Sequence, residues 1–284
     1  MSRKQIIVAV PVYRFPLSSE EEISLRHLRH FLGGYDVTLV APKHLEITDP
    51  GLSSFPVTRF EDNYFSGIPG YNRLMLSRDF YRRFARYEYV LIYQLDCLVF
   101  SADLAAWCEK GWDYAGAPWF KDHGTDTSEG LWAIGNGGLS LRRVSKFLEV
   151  LTSWKLMTPP VKRALETPRF ANSPNLRRLY CAAKIGFHAC GYRNTVRHFL
   201  KHFNQYEDLF WSSYAQQFVE RFVRPSPQEA LAFSFENAPR YCYELNDGRL
   251  PFGAHAWYKT DPKFWQPFLL PESIEEKAGS ALTI

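Results

Sequence analysis

Asp96 is the residue whose position in the sequence most needs a chemical explanation. It interrupts residues 89–100, a run that is otherwise mainly apolar or aromatic without helical spacing, which predicts a strand buried on both faces of an open sheet. A carboxylate there is costly to bury unless a cation or several hydrogen-bond donors meet it. Because ligands of such sheets bind at the carboxyl ends of the strands, we expect Asp96 to contact a ligand or a metal ion. The alternative is that Asp96 caps the helix that begins near residue 101, but Ser101 can already serve as that cap.

Three further positions carry side chains suited to chemistry. The glycines around Asn136 predict either a close approach to the backbone, with the amide facing a hydroxyl-rich ligand, or a tight turn. Glu207 and Asp208 begin a predicted helix, where acids can serve a reaction or simply favour the helix dipole. His255 lies among small residues that leave room for an ion, although a single His is more often structural.

The elements that must position these residues begin in an α/β order. Residues 5–13 form a β-branched run that closes at a proline, and residues 35–42 form a second run after a predicted helix. This order predicts a right-handed crossover between two parallel strands. The loop after the first strand should therefore enter the same crevice as Asp96.

The segments around this core are also readable from the sequence. Residues 71–84 have apolar positions at helical spacing, and Arg73 lies in the first turns of this predicted helix, where a phosphate would be received. The alternative is that Arg73 simply lies on a solvated face of this helix. Residues 120–130 form a polar loop that fits a mobile flap or a plain surface loop. Residues 143–154 predict an amphipathic helix, and the prolines of residues 158–174 mark a boundary or an excursion.

Composition limits the classes of function. The chain has 284 residues, of which 46% are hydrophobic and 16% aromatic, enough for one large domain. Its five Cys residues include no CxxC pair, which favours a reducing cytoplasm over a disulfide framework or a zinc knuckle. The apolar runs are too short to predict a signal peptide or a membrane span. The net charge of +4 suits an anionic small ligand or a membrane surface better than nucleic acid, for which residues 176–203 are the basic candidate.

Taken in order, five motifs resemble those of nucleotide-sugar glycosyltransferases with the GT-A fold, most closely a bacterial family found among polysaccharide-assembly enzymes. The resemblance runs from about residue 5 to residue 258. The motifs are Val10-Pro11-Val12-Tyr13, Gln94-Leu95-Asp96, Gly135-Asn136-Gly137-Gly138, Glu207-Asp208 and Pro251-Phe252-Gly253-Ala254-His255-Ala256-Trp257.

This resemblance implies a donor site with a metal ion. In that fold a strand-end Asp-x-Asp motif binds a divalent ion on the donor diphosphate. Here Gln94-x-Asp96 stands in its place, so Asp96 matches the metal-contacting acid and Gln94 is left to hydrogen-bond a ribose or a base. His255 matches a histidine that completes the metal site, and these ligands favour Mn²⁺ or Mg²⁺. The residues expected to bind the donor are Pro11, Val12, Tyr13, Arg73, Gln94, Asp96, Asn136, Gly137 and Gly138.

The resemblance also implies a reaction. Inverting members of the fold place a general base in a paired-acid motif at the start of a helix. Asp208 is therefore expected to deprotonate the acceptor hydroxyl, while Glu207 holds the acceptor or steadies the loop. Tyr206, Phe210 and Trp211 would offer aromatic surface to a sugar ring.

These expectations define one interpretation and its rivals. The chain would be a single GT-A-like α/β domain over residues 1–271, with a nucleotide-binding half at 1–110, an acceptor-binding half at 111–271 and a flexible tail at 272–284. Its mixed, mostly parallel sheet would be flanked by helices, with a helical excursion in the C-terminal half. It would transfer a sugar from a nucleoside-diphosphate sugar to a glycan or lipid-linked acceptor for bacterial surface polysaccharide, in the cytoplasm at the inner face of the membrane. The alternatives are a catalytically silent nucleotide- or sugar-binding module, which Gln94 favours, a retaining transferase, and a nucleic-acid-binding protein.

Overall fold

The computed structural model describes residues 5–49, 51–121, 127, 130–159, 162 and 174–272. Its main sheet consists of β1 (Ile6–Pro11), β2 (Asp36–Pro42), β3 (Val57–Phe60), β4 (Tyr89–Tyr93), β6 (Tyr114–Ala115) and β9 (Leu139–Arg143). These six strands lie in the order β3-β2-β1-β4-β9-β6. Strands β1 to β4 are parallel, and β9 runs antiparallel between β4 and β6. The predicted mixed, mostly parallel sheet is therefore confirmed.

Two small sheets lie beside the main one. One joins β10 (Ser234–Phe235), β11 (Gly253–Ala254) and β5 (Leu98–Val99), and the other pairs β7 (Pro118–Phe120) with β8 (Leu131–Ile134). The three-stranded sheet matters for the site because β5 follows β4 in the chain and pairs antiparallel with β11. This pairing brings the segment after β11 to the end of β4.

Helices flank the sheet. The first, α1 (Ser19–Leu32), starts with a capping box in which Ser18 and Glu21 exchange hydrogen bonds, and Glu20, Glu21 and Glu22 lie in its first turn, where negative charge favours the helix dipole. The other α-helices whose bounds fall within the described residues are α2 (Gly67–Met75), α3 (Arg78–Arg83), α4 (Leu104–Glu109), α5 (Val144–Thr152), α6 (Pro174–Ala189), α7 (Val196–His202), α8 (Glu207–Leu209), α9 (Pro227–Phe233), α10 (Pro239–Leu245) and α11 (Pro262–Trp265). None of the described helices is both long enough and apolar enough to cross a membrane.

The core forms on both faces of the main sheet because successive residues of a strand point to opposite sides. All six residues of β1 are buried. Ile7 and Ala9 belong to the cluster that packs under α3 and α5, whereas Ile6 and Val8 belong to the cluster that packs under α1. This two-sided burial explains why the strand sequence is apolar without alternation.

The predicted strand over residues 89–100 is in fact two strands. It stops at Tyr93 and resumes as β5, with a turn between them in which Cys97 N–H donates to the Gln94 carbonyl at 3.0 Å. Asp96 therefore lies in the turn beyond β4 and not inside a strand. The turn places its carboxylate at the carboxyl end of the parallel strands, as expected for a ligand-facing residue.

Two helix predictions were also wrong in detail. The helix predicted over residues 71–84 is two helices, because Ser77 accepts from Phe80 N–H and caps α3 as a new start. Arg73 then lies in the last turn of α2 rather than the first. Ser101 does not cap α4, whose N-cap is Asp103, and its hydroxyl instead accepts from Asp103 N–H at 3.1 Å. Residues 122–126, 128 and 129 of the proposed flap at 120–130 lie outside the described residues, as does the tail at 272–284 apart from residue 272.

Candidate functional site

Four segments that are far apart in the sequence meet at the carboxyl end of β4. They are the turn 94–97, the loop 135–138, the start of α8 at Glu207, and residues 255–259 after β11. Gln94 N–H donates to the Gly138 carbonyl at 2.9 Å, and Asn136 N–H donates to the Asp208 carboxylate at 3.1 Å. The loop 135–138 thus joins the Asp96 region to the Asp208 region.

The Asp96 carboxylate lies between two basic side chains. Lys259 Nζ is 2.7 Å from Asp96 Oδ2, and His255 Nε2 is 3.3 Å from Asp96 Oδ1. The other ring nitrogen of His255, Nδ1, is 2.9 Å from Glu236 Oε1. His255 therefore bridges two carboxylates.

These contacts set the charges at this end of the site. Burial alone would raise the pKa of Asp96, but the positive charges of His255 and Lys259 outweigh it and hold the pKa below its usual range. Burial would lower the pKa of His255, but Asp96 and Glu236 raise it to about 10. The contact with Asp96 also raises the pKa of Lys259 against its desolvation. Asp96 is consequently ionised and both of its partners are cationic near neutral pH.

The two adjacent glycines of the loop are required by close packing. A Cβ at Gly138 would lie 2.1 Å from His255 Nε2, and a Cβ at Gly137 would lie 2.5 Å from Glu207 Oε1. The close approach that the sequence predicted is therefore made by the protein's own His255 and Glu207. Only glycine lets the loop pass between these two side chains.

Asn136 folds the loop on itself. Its backbone has a φ of 86°, and its side-chain oxygen accepts from Gly138 N–H at 2.8 Å and Leu139 N–H at 3.2 Å. Asparagine tolerates the left-handed region because its short amide can make these local bonds. The Nδ2 group of Asn136 is buried without a hydrogen-bond partner among the described residues.

Asp208 has surroundings unlike those of Asp96. Its carboxylate accepts from Asn136 N–H at 3.1 Å and from Leu209 N–H at 2.8 Å, and none of the described Lys or Arg side chains pairs with it. Burial raises the pKa of Asp208 to about 7, and the negative charges of Glu207 and Glu236 act in the same direction. A carboxyl group with this pKa can exchange a proton near neutral pH.

Glu207, although adjacent to Asp208, is part of a buried ion pair. Arg142 is fully buried and donates to both Glu207 oxygens, at 2.7 and 3.1 Å, and also to Tyr81 at 2.9 Å. Burial lowers the pKa of Arg142, but Glu207 and the nearby tyrosines raise it well above its ordinary value. The bidentate pair fixes the start of α8 to β9.

A known protein family matches most of the chain. Residues 54–255 match the model of the family described as protein of unknown function, DUF5672. The chain belongs to this family. No curated protein matches the sequence. The matched region contains the turn 94–97, the loop 135–138, the start of α8 and His255.

Several solved glycosyltransferase structures are similar to the chain. One is a glycosyltransferase involved in the glycosylation of the major capsid of PBCV-1, at 11% identity over 88% of this chain and 92% of that chain, with a TM-score of 0.38. Another is the galactosyltransferase LgtC with donor and acceptor sugar analogues, at 10% identity over 88% and 86%, with a TM-score of 0.42. A third is the mannosyltransferase Ktr4p from S. cerevisiae, at 13% identity over 52% and 59%, with a TM-score of 0.34.

The DUF5672 chain brings together most of the predicted site residues. Gln94, Asp96, Asn136–Gly138, Glu207, Asp208 and His255 all belong to the four meeting segments. Pro11 ends β1, and Val12 is buried, with its N–H donating to the Val40 carbonyl at 2.9 Å. Tyr13 is 57% exposed. Only Tyr13 of these three therefore offers a side chain to a ligand.

The structure places Arg73 and two of the three aromatic residues differently from the positions predicted for binding phosphate and sugar. Arg73 is exposed and donates to the Asn63 carbonyl at 2.9 Å. Because it lies in the last turn of α2, it cannot bind a phosphate together with the N-terminal N–H groups of that helix. Phe210 and Trp211 are fully buried and cannot carry a sugar ring, whereas Tyr206 is 62% exposed. The aromatic surface expected from three residues is reduced to Tyr206.

Sequence reasoning did not find Arg142, Glu236 or Lys259. Arg142 and Ser140 alternate with Leu139 and Leu141, a pattern that indicates an exposed arginine on the polar face of a strand and not the fully buried one observed. Lys259 is four residues after His255, but its approach to Asp96 depends on the turn that follows β11. Nothing local in the sequence indicates that contact.

The predicted metal ligands do not fit a divalent ion in this arrangement. Such an ion needs several free oxygen ligands or an unprotonated imidazole nitrogen. Asp96 Oδ2 already contacts Lys259, and both nitrogens of His255 face carboxylates. Across the part of the chain that the structure describes, no three His, Cys, Asp or Glu side chains are grouped to hold a metal.

Proposed function

We propose that this protein is a glycosyltransferase that moves a sugar from a nucleoside-diphosphate sugar to a glycan or lipid-linked acceptor. The observation that carries the proposal is the pair Asp96 and Asp208, two carboxylates whose segments are joined by the loop 135–138 and whose surroundings shift their pKa values in opposite directions. Two acids with pKa values shifted apart in this way are typical of sites in which one acid stays charged and the other transfers a proton.

In the proposed reaction Asp208 is the general base. It accepts the proton of the acceptor hydroxyl while the hydroxyl oxygen forms a bond to the anomeric carbon of the donor sugar. The bond from that carbon to the diphosphate oxygen breaks, and the diphosphate leaves with the electron pair. Attack from the side opposite the leaving group inverts the configuration at the anomeric carbon. Glu207 steadies the loop through Arg142 and does not contact the acceptor.

The donor is proposed to lie between the loop after Val12 and the turn that holds Asp96, because both follow neighbouring parallel strands. Gln94 would hydrogen-bond the ribose or the base, and Tyr13 is the exposed ring beside this edge. Arg73 would have to leave the Asn63 carbonyl to reach a phosphate. A divalent ion at Asp96 and His255, Mn²⁺ or Mg²⁺, is the alternative to this arrangement, and it would require displacement of Lys259.

A panel of nucleotide sugars tests the proposal directly. Each sugar is incubated with the protein, with and without Mn²⁺, and binding, hydrolysis and transfer to simple glycosides are measured. We expect one nucleotide class to bind and to be hydrolysed slowly without acceptor. Inversion in the product supports Asp208 as base, whereas retention contradicts it. Binding without any turnover supports the catalytically silent module that Gln94 favours.

An anionic membrane surface is the proposed partner of the basic segment 174–206. This segment contains six Lys or Arg residues and no acid, which leaves a net charge of −2 for the rest because the whole chain carries +4. Within this segment Phe187 and Tyr192 are 62% and 55% exposed, and Trp154, outside it, is 81% exposed. Basic side chains with exposed rings are typical of interfacial binding. A role in bacterial surface polysaccharide synthesis at the inner face of the membrane would fit this contact.

Vesicle sedimentation tests the membrane proposal. We expect binding to vesicles containing phosphatidylglycerol and none to pure phosphatidylcholine, with loss of binding at high salt. Phe187→Ser should weaken binding by at least about fivefold, since an exposed ring supplies the apolar part of the contact. Ile68→Ser is the matched control, because Ile68 is also exposed, at 59%, but lies outside the basic segment. Equal binding to both vesicle types would contradict the proposal.

A further inference from the structure

We infer that Lys259 supplies the positive charge that holds the donor diphosphate, so that the site works without a divalent ion. The inference rests on the proposed function and names a residue that the sequence motifs did not include. It is carried by the position of the Lys259 ammonium group, the turn that fixes it, and the contacts that occupy His255.

The Lys259 ammonium group is both anchored and accessible. Its Nζ donates to Asp96 Oδ2 at 2.7 Å, while its side chain remains 57% exposed. One N–H of the ammonium is used in this contact, which leaves two donors for an anion. Asp96, by contrast, is only 8% exposed. An anion that approaches this edge therefore meets the ammonium group before the carboxylate.

The chain around Lys259 is held in place by a tight turn. Lys259 N–H and Thr260 N–H both donate to the Ala256 carbonyl, at 2.9 and 3.0 Å, and Thr260 Oγ1 donates to the Glu236 carbonyl at 2.8 Å. Ala256 has a φ of 52°, an unusual conformation for alanine that the surrounding contacts must enforce. Trp257 N–H donates to the Asp96 carbonyl at 3.3 Å. The ammonium group is therefore positioned before a ligand arrives.

His255 is arranged as a partner for carboxylates and not as a metal ligand. Nδ1 lies 2.9 Å from Glu236 Oε1, Nε2 lies 3.3 Å from Asp96 Oδ1, and Gly138 packs against the ring. A divalent ion at Asp96 would have to replace Lys259 at one oxygen and His255 at the other. Lysine binds phosphate as a compact point charge, so it can take the place of the ion.

The step that this charge assists is the departure of the diphosphate. When the bond between the anomeric carbon and the phosphate oxygen breaks, its electron pair stays on that oxygen, and the nearby ammonium stabilises the added charge. The acceptor oxygen forms the new bond to carbon, and its proton goes to Asp208. No further reactant is needed.

Calorimetric titration with UDP, GDP, ADP, CDP, TDP and inorganic pyrophosphate in excess EDTA tests the inference. We expect at least one diphosphate to bind the parent protein with a dissociation constant unchanged by Mn²⁺. Lys259→Met should weaken its binding about tenfold or more, the scale of a lost charged hydrogen bond, and Lys259→Arg should restore most of it. Binding of the corresponding nucleoside, which has no phosphate, should be the same in all three proteins. Lys263→Met removes another exposed lysine nearby and should change nothing.

The outcomes separate this inference from the proposed function. If no diphosphate binds with or without metal, the proposed function fails. If a diphosphate binds only with Mn²⁺ or Mg²⁺, or binds Lys259→Met as tightly as the parent in EDTA, the proposed function stands and this inference is overturned. A Lys259→Met variant that binds nucleoside normally has kept its fold, so its loss of diphosphate binding supports a role for the charge.

Discussion

The two carboxylates joined by the loop 135–138 have opposite surroundings. Asp96 faces Lys259 and His255, two basic groups, whereas the hydrogen bonds that Asp208 accepts within the described part of the chain come from the N–H groups of Asn136 and Leu209. One end of the loop therefore holds an ionised acid against cations, and the other holds an acid that can bind a proton near pH 7. In the proposed reaction, a fixed negative charge is therefore held beside one end of this short loop and proton transfer takes place beside the other.

The difference between the surroundings of Asp96 and Asp208 depends on which acid Arg142 binds. This arginine lies under the Asp208 end, but its guanidinium is used by Glu207, with which it forms two hydrogen bonds. Asp208 is left beside a second negative charge instead of a positive one. The buried pair thus fixes the loop and also keeps a cation away from the proposed base.

The largest effect is expected from removing the basicity of Asp208. Asp208→Asn keeps the size and one hydrogen-bonding oxygen, so donor binding should remain close to that of the parent. Sugar transfer should fall by about 10²- to 10⁴-fold, the range for loss of general-base catalysis. Initial rates of transfer and titration with the donor nucleotide measure the two effects separately.

Asp247→Asn is the matched control for this variant. Asp247 is exposed and has a φ of 56°, which asparagine also tolerates. We expect its transfer rate to equal that of the parent. Near-parental turnover of Asp208→Asn would show that Asp208 is not the base.

Glu207→Gln should instead reduce stability. It leaves the buried Arg142 charge without its partner, which costs about 3–5 kcal/mol in the free energy of unfolding. The double change Arg142→Met and Glu207→Leu removes both charges and should recover much of that loss. Urea unfolding of the three proteins measures this. Transfer per folded molecule should fall less in Glu207→Gln than in Asp208→Asn, and the reverse order would reject the division of roles.

The pH dependence of transfer should report Asp208. The residue must be ionised to act as base, so the rate should rise with pH, by about tenfold per pH unit below its pKa of about 7, and then level off. The measurement is kcat/KM between pH 5 and 9 with the donor at low concentration. A rate that stays level down to pH 5 would contradict the raised pKa.

Much of this arrangement follows from local sequence, and the rest does not. The buried runs of β1 and β4 and the glycines near Asn136 are visible because strand burial and backbone freedom are local properties. The break after Tyr93 is not visible, since residues 89–100 remain apolar on both sides of the turn. Lys259 and Arg142 escape prediction because their partners are 163 and 65 positions away in the chain.

The smallest effect we predict is on stability, and it tests the Asp208 end without any substrate. The pKa of Asp208 is about 7 in the folded protein and near 3.8 when the residue is exposed, so the native state binds more protons than the unfolded state between about pH 4 and pH 7. Ionising Asp208 therefore costs stability as pH rises through this window. Asp208→Asn removes the cost, so its free energy of unfolding, relative to the parent, should be at least about 1 kcal/mol more favourable at pH 8 than at pH 4.

Asp247→Asn should show no such change, because that carboxylate is exposed. Urea unfolding at the two pH values gives the four free energies needed. An advantage of Asp208→Asn that shrinks as pH rises would mean that Asp208 is stabilised as an anion in the folded protein. The contrast with Asp96 would then be lost, because both ends of the loop would hold charged acids and neither would be poised to take a proton from an acceptor.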